Sequence, residues 1–175
     1  MYSAEAEDLS KSIFEQFLRV FDMSKIKNVH IFLPIKQKNE VSTWDFIKYF
    51  WNKGISVFVP KMVQNEIKTI QLKPDTSLKE NDWGILEPEN DFVEDIKFDI
   101  VITPLLYCDN QGNRVGYGKG FYDMFFSKID HNALKVGVGF FPPEALISDV
   151  SEQDIPLDYL VTPTEVLSFM SKSIK

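Results

Sequence analysis

One segment of the chain, residues 103–126, reads TPLLYCDNQGNRVGYGKGFYDMFF. It follows an apolar run typical of a buried strand and leads into a helical pattern over residues 121–129. Between the two lie three glycines within five positions and one lysine, which are Gly116, Gly118, Lys119 and Gly120. A glycine-rich turn at the start of a helix directs backbone N–H groups and the positive end of the helix dipole at an anion. The segment therefore predicts a phosphate-binding turn between a strand and a helix.

Outward from this turn, apolar runs alternate with helical patterns along the whole chain. The predicted helices cover residues 4–21 (with Ser3 as N-cap), 43–52, 121–129 and 142–147. The predicted strands cover residues 28–34, 55–60, 67–72, 99–103, 134–140, 159–162 and 166–169, with a long loop over residues 78–95. Buried strands that alternate with helices favour a largely parallel sheet covered on both faces. We expect an α/β fold, a single-domain three-layer α/β/α sandwich, with ligands beyond the carboxyl ends of its strands.

Composition narrows the classes of function. The chain has 175 residues, 44% of them hydrophobic and 26% charged, which suits one globular domain. Its formal charge of −7 argues against nucleic acid as a ligand, so an anionic ligand needs a local basic pocket, for which Arg114, Lys119 and Lys61 are candidates. The single cysteine, Cys108, excludes an internal disulfide and suits a reducing cytoplasm. We find no signal-peptide pattern and no apolar run near the ~20 residues that span a bilayer, so we expect a cytoplasmic protein without membrane partners.

The glycine pattern does not fit the two commonest nucleotide-binding motifs. A P-loop requires a Ser or Thr after its lysine, whereas Gly120 follows Lys119. The dinucleotide fingerprint G-x-G-x-x-G also fails, because the glycines here are spaced G-x-G-x-G. The sequence therefore favours neither a P-loop nor a dinucleotide-binding fingerprint.

The segment resembles instead the signature of the 5-formyltetrahydrofolate cyclo-ligase family, D-x-x-G-N-R-L-G-x-G-x-G-Y-Y-D. Here the matching residues are Asp109, followed by GNRVGYGKGFYD over residues 112–123. The resemblance continues in Pro34 with Asn39-Glu40-Val41, in Val59-Pro60-Lys61, in the WGILEP segment at residues 83–88 and in EQDIPLD at residues 152–158. A motif of this length, with Arg, Lys and Asp all in phase, is strongly specific.

The resemblance implies a fold of the family's own kind, similar to that of the NagB, RpiA and CoA-transferase proteins. It also implies an enzyme that uses ATP as co-substrate and Mg²⁺ to convert 5-formyltetrahydrofolate to 5,10-methenyltetrahydrofolate. The partners implied are these two small molecules, and we expect a monomer. Phosphorylation of the formyl oxygen would make a poor electrophile reactive and its oxygen a good leaving group. Catalysis of such a transfer is mostly positioning and charge neutralisation.

The same resemblance implies roles for individual residues. ATP phosphates would be bound by residues 114–122, which are Arg114, Val115, Gly116, Tyr117, Gly118, Lys119, Gly120, Phe121 and Tyr122, and of these Arg114, Lys119 and Tyr122 would be catalytic. The folate would be bound by Ile35, Glu40, Trp83 and Phe121. Asp123 and Asp154 would hold Mg²⁺, a hard ion that prefers oxygen ligands.

Two departures from the family pattern are visible. Members usually begin with a basic helix, K-x-x-L-R-x-x-x-x-x-x-R, that contacts ATP, and we expect this chain to lack that segment. Phe121 stands where the family commonly has the first tyrosine of Y-Y-D, so a hydroxyl group is lost.

Several residues also have a purely structural interpretation. Glu40 is placed like a charge at a helix start, Asp154 like part of a solvated acidic surface, and Trp83 like a residue that packs its loop. Two other functions stay open at this point. One is a homologue that binds folate or nucleotide without turnover, and the other is a sugar-phosphate isomerase or CoA-transferase-like enzyme on the same layered fold.

Overall fold

A mainly parallel sheet forms the centre of the molecule in a computed structural model that describes residues 3–116 and 120–170. The strands are β1 (Asn28–Ile31), β2 (Ser56–Val63), β3 (Glu66–Leu72), β4 (Leu78–Glu80), β5 (Leu86–Pro88), β6 (Ile100–Pro104), β7 (Tyr107–Cys108), β8 (Arg114–Val115), β9 (Leu134–Val138), β10 (Tyr159–Val161) and β11 (Val166–Ser168). The seven-stranded sheet has the order β11-β10-β9-β6-β1-β2-β3. Its five central strands are parallel, and β3 and β11 pair antiparallel at the two edges.

Helices cover both faces of this sheet. They are α1 (Ala4–Val20), α2 (Trp44–Asn52) and α3 (Phe121–Lys128). Apolar residues of α1 and α2, such as Phe17 and Phe46, pack with Val29 and Ile31 of β1 in one core. A smaller core on the opposite face contains Phe125 and Phe126 of α3 with Phe58, Phe98 and Val101. The predicted α/β fold with a largely parallel, doubly covered sheet is confirmed.

Local side-chain capping marks the start of α1 but not the start of α2. The Ser3 side chain accepts a hydrogen bond from the Ala6 N–H at 3.1 Å and caps α1, as predicted. Thr43 precedes α2, but its hydroxyl donates instead to the Phe32 carbonyl at 2.7 Å. That bond satisfies a backbone oxygen just beyond β1, so the strand ends at Ile31 although residues 32–34 remain buried. The predicted strand over residues 28–34 was therefore too long.

Two further predictions were wrong. Residues 78–95 are not a plain loop, because β4 and β5 pair there as an antiparallel hairpin closed by the Asn81 side chain. Residues 142–147 form no helix. Their polar groups bind distant partners instead: the Ala145 carbonyl accepts from the Tyr107 hydroxyl, and the Ile147 N–H donates to the Asp109 carboxylate. Among the described residues, no helix is long and apolar enough to cross a membrane.

Candidate active site

A cavity of about 430 Å³ opens beyond the carboxyl ends of β1, β6 and β9, where ligands of parallel sheets bind. Phe32, Leu105, Phe140 and Phe141 give it apolar and aromatic walls. The first turns of α1 close one side. A flat aromatic ligand fits such walls better than a sugar or a peptide does.

Glu40 is the buried acid of this cavity. Its side chain lines the wall, only 9% of the residue is exposed, and its Oε2 accepts a hydrogen bond from the Ile35 N–H at 2.8 Å. The bond folds the segment after β1 back on itself and fixes the carboxylate at the cavity. Ile35 thus acts here through its backbone, and its side chain is not part of the cavity wall.

Trp83 stands apart from the cavity wall, with 81% of its surface exposed. It lies in the turn between β4 and β5, where the Asn81 Oδ1 accepts from the N–H groups of Trp83 and Ile85 at 2.9 and 3.0 Å. A Cβ atom on the neighbouring Gly84 would lie 3.0 Å from the Gln37 Nε2. The hairpin turn therefore touches the short segment that leads to Glu40, and Trp83 has no packing role that would explain its large exposed ring.

Arg114 holds two segments of the chain together. Its Nη1 donates to the Ile155 carbonyl at 2.6 Å, and its Nη2 pairs with the Asp123 Oδ1 at 3.0 Å. The guanidinium carbon lies 4.9 Å from the centre of the Phe126 ring, and only 7% of the side chain is exposed. Both terminal nitrogens that would form a phosphate fork are thus bound to protein oxygens.

Asp123 and the segment that contains Asp154 are adjacent. The Asp123 Oδ1 also accepts from the Ile155 N–H at 2.9 Å, which brings the residue next to Asp154 against the first turn of α3. Asp154 itself is exposed and accepts from the Ser151 N–H at 2.9 Å. The described residues contain no cluster of three or more His, Cys, Asp or Glu side chains that could hold a metal ion.

The glycine-rich turn is described only at its two ends. Val115 is 41% exposed and Gly116 is half-buried, whereas Gly120 precedes α3 with a left-handed backbone of φ +64°. Tyr117, Gly118 and Lys119 lie outside the described residues. At the start of α3, Phe121 is half-buried, and the Tyr122 ring lies 6.0 Å from that of Phe126. The described flanks are consistent with a turn that enters a helix.

Cys108 does not fit a catalytic role, and Lys61 does not line the cavity. Burial, together with the charge of Asp109, raises the pKa of the Cys108 thiol to about 12, so this cysteine is inert near neutral pH. Lys61 lies in β2 opposite Lys68 of β3, away from the cavity lining.

Sequence reasoning missed the wall that follows β9. Phe140 and Phe141 line the cavity, and Phe141 is 74% exposed. The signal was present, because two aromatic residues directly after a buried strand of a parallel sheet lie at its ligand-binding edge. Phe141 is therefore a candidate contact for the ligand.

The comparisons with known proteins agree with one another. A model of the "5-formyltetrahydrofolate cyclo-ligase family" matches residues 1–163. The chain is 29% identical over 177 residues to the probable 5-formyltetrahydrofolate cyclo-ligase of Schizosaccharomyces pombe, with 90% of this chain and 85% of that protein covered. It is 32% identical over 136 residues to the 5-formyltetrahydrofolate cyclo-ligase of Escherichia coli K12, with 73% and 74% covered.

A solved structure supports the same relationship. The NMR structure of the 5,10-methenyltetrahydrofolate synthetase of Aquifex aeolicus superimposes with a TM-score of 0.73 at 29% identity. The match covers 98% of this chain and 87% of that one. Sequence and fold thus point to one family.

Proposed function

The chain belongs to the 5-formyltetrahydrofolate cyclo-ligase family, and from that premise we propose that it cyclises 5-formyltetrahydrofolate to 5,10-methenyltetrahydrofolate with consumption of ATP. The observation that carries the proposal is the aromatic cavity with a buried carboxylate, Glu40, at the carboxyl edge of the sheet. A pterin ring is flat and carries N–H donors, so it matches stacking walls and a fixed acceptor. Membership of this family also argues against a sugar-phosphate isomerase and against a CoA-transferase-like enzyme.

The proposed reaction balances as a phosphoryl transfer followed by ring closure. The formyl oxygen attacks the γ-phosphorus of ATP, and ADP leaves. A second folate nitrogen then attacks the activated formyl carbon and gives up its proton to solvent, and inorganic phosphate departs with the former formyl oxygen. The protein contributes by holding the formyl oxygen in line with the phosphate and by neutralising charge.

Residues 114–122 would bind the triphosphate, with Lys119 as a point charge and Arg114 as a fork. Arg114 would reach a phosphate through an N–H group that binds neither Ile155 nor Asp123, since these two bonds use only two of its five N–H donors. On the folate side we assign Glu40 and Ile35 to the pterin region, with Trp83 and Phe121 as stacking surfaces. Tyr122 would act beside the transferred phosphate.

Asp123 and Asp154 are fitting ligands for Mg²⁺, because they offer carboxylate oxygens and the contact of Ile155 with Asp123 brings their segments together. When bound with ATP, the ion would supply neutralisation of the phosphate charge. Nucleotide phosphates and water would complete its coordination. We further infer a single domain that acts as a monomer in the cytoplasm on two small molecules, without nucleic acid or membrane partners.

A second function has one observation in its favour. Because the Arg114 side chain is only 7% exposed and is already bound to protein oxygens, the fold is also suited to a homologue that holds folate or nucleotide without turnover. Such a protein would gain thermal stability with either ligand and release no product.

Turnover distinguishes the two functions. The purified full chain is mixed with 5-formyltetrahydrofolate and Mg-ATP, and the absorbance of methenyltetrahydrofolate is followed, with ADP measured in parallel. Equal amounts of the two products, absent when ATP is omitted, are expected. Ligand-induced stabilisation without either product would contradict the proposed enzymatic activity and support a homologue that binds folate or nucleotide without turnover.

A further inference from the structure

Asp109 is a charged residue with no exposed surface. Its Oδ1 accepts from the N–H groups of Gln111 and Asn113 at 2.9 and 3.0 Å. Its Oδ2 accepts from the Asn113 Nδ2 and the Ile147 N–H, both at 3.1 Å. The carboxylate is thus surrounded by four donors from three residues.

These donors keep the carboxylate ionised in spite of burial. Burial alone would raise the pKa of Asp109, but the bonds from Ile147, Gln111 and Asn113 outweigh it and leave the pKa below its usual value. A buried carboxylate this well satisfied is a fixed structural anion rather than a proton donor.

The bonds of Asp109 shape the turn that carries the chain into β8. The Asp109 N–H donates to the Asn113 carbonyl at 2.9 Å, and the Leu157 N–H donates to the Gly112 carbonyl at 2.9 Å. Arg114 directly follows Asn113, and its side chain reaches Asp123 and Ile155. The direction of β8, and with it the entry to the glycine-rich turn, therefore depends on the turn around Asp109.

Asp109 also ties this turn to the cavity wall. Ile147 ends the segment that starts at Phe141 and supplies one of the four donors. The same segment is held a second time by the Tyr107 hydroxyl on the Ala145 carbonyl. One carboxylate thus joins the folate side of the proposed site to its phosphate side.

We propose that Asp109 is a positioning residue for nucleotide binding: it acts through the turn over residues 109–113 to set the position of Arg114 in β8. This inference rests on the proposed function. Three of the four donors lie within that turn and only one lies on the folate side. Its loss should therefore weaken ATP binding more than folate binding.

The test compares Asp109→Asn with Asp99→Asn in the full chain. Asp99 is a matched control, because its Oδ2 also accepts hydrogen bonds from two backbone N–H groups, those of Lys27 and Asn28, at 2.8 and 2.9 Å. It lies at the amino end of the parallel strands, away from the proposed site. In Asp109→Asn the new NH₂ group replaces an oxygen that accepts two hydrogen bonds, so two donors face it, and we expect the KM for ATP to rise about ten-fold or more. The KM for 5-formyltetrahydrofolate should change less than about three-fold. Asp99→Asn should lower the melting temperature with both KM values unchanged.

A milder variant, Asn113→Ala, keeps the test decisive if Asp109→Asn does not fold. It removes only the Nδ2 donor, and the KM for ATP should rise about five-fold. Equal changes in both KM values, or the same KM for ATP as in Asp99→Asn, would overturn the role of Asp109 while leaving the proposed function intact. An absence of turnover by the unaltered protein would overturn the proposed function itself, and the inference with it.

Discussion

His30 is fully buried in β1, and its ring lies 4.5 Å from that of Phe125 and 5.2 Å from that of Phe98. Neither ring nitrogen has a hydrogen-bond partner among the described residues. Burial lowers the pKa of His30 to about 3, so the imidazole is neutral in the native state. This residue makes the stability of the protein sensitive to acid.

The sign of the effect follows from the lowered pKa of His30. Between pH 6.5 and pH 3 the unfolded chain binds a proton there that the native state does not, so stability is lost as the pH falls through this window. At pH 5 the loss due to His30 is about 2 kcal/mol relative to pH 7.5. Urea unfolding of His30→Leu should show a pH dependence that is smaller by about this amount. The control His131→Leu alters an exposed histidine and should retain the full dependence, and an unchanged dependence in His30→Leu would contradict the prediction.

Arg114 should be irreplaceable even by lysine. The Arg114 guanidinium binds both Ile155 and Asp123 while its flat face lies over the Phe126 ring. A lysine ammonium group cannot make all three contacts, so Arg114→Lys should lower the free energy of unfolding by about 2 kcal/mol. The other arginine, Arg19, is exposed in the last turn of α1. Arg19→Lys should cost less than about 0.5 kcal/mol in the same urea titration. Equal stabilities of the two variants would show that the Arg114 contacts contribute little.

The sequence identified residue types more reliably than contacts. The motif predicted a functional arginine and an acid at residues 114 and 123, but it could not show that these two side chains bind each other. That contact depends on how β8 meets α3, which is a tertiary arrangement. The sequence showed Asp109 only as one position of the motif. It could not show the four hydrogen-bond donors around this carboxylate, because one of them, on Ile147, lies 38 positions away.

At the scale of elements, the turn before β8 requires glycine. Gly112 has a φ of +85°, and a Cβ atom there would lie 2.8 Å from the Leu157 carbonyl oxygen and 2.9 Å from the Phe169 ring. Gly54 has a similar φ of +72° but open space around it. Gly112→Ala should therefore lower the free energy of unfolding by about 3 kcal/mol or more, and Gly54→Ala by about 1 kcal/mol. Thermal unfolding of the two variants measures the difference, and a similar cost at both positions would contradict the close contact.

The elements that were predicted well are those determined locally. The helices α1, α2 and α3 begin and end within about a residue of their predicted bounds, because apolar periodicity and flanking residues specify them. The hairpin of β4 and β5 was missed because strands of three residues carry too little alternation to detect. The predicted helix over residues 142–147 failed because two prolines start it and tertiary hydrogen bonds hold the segment instead.

At the scale of the whole molecule, the two sides of the proposed site depend on different cores. Glu40 follows β1 beside the α1 and α2 core, which includes Val41. Arg114 packs over Phe126, which belongs to the α3 core on the other face of the sheet. Changes at Glu40 should therefore leave nucleotide binding intact, and changes at Arg114 should leave folate binding intact.

Thermal unfolding with each ligand tests this independence. We expect the unaltered protein to gain about 7 °C with either 5-formyltetrahydrofolate or Mg-ATP at about 100 times its Kd. Glu40→Gln should lose most of the gain with the folate, because the side-chain bond to the Ile35 N–H and the contact with the pterin both weaken. It should keep the gain with Mg-ATP. Arg114→Lys should show the reverse pattern. The controls Glu7→Gln and Arg19→Lys alter exposed residues of α1 outside the cavity and should retain both gains. Loss of both gains in Glu40→Gln would mean that the two sides form one coupled unit, because the gain with each ligand reports the affinity of the native protein for that ligand.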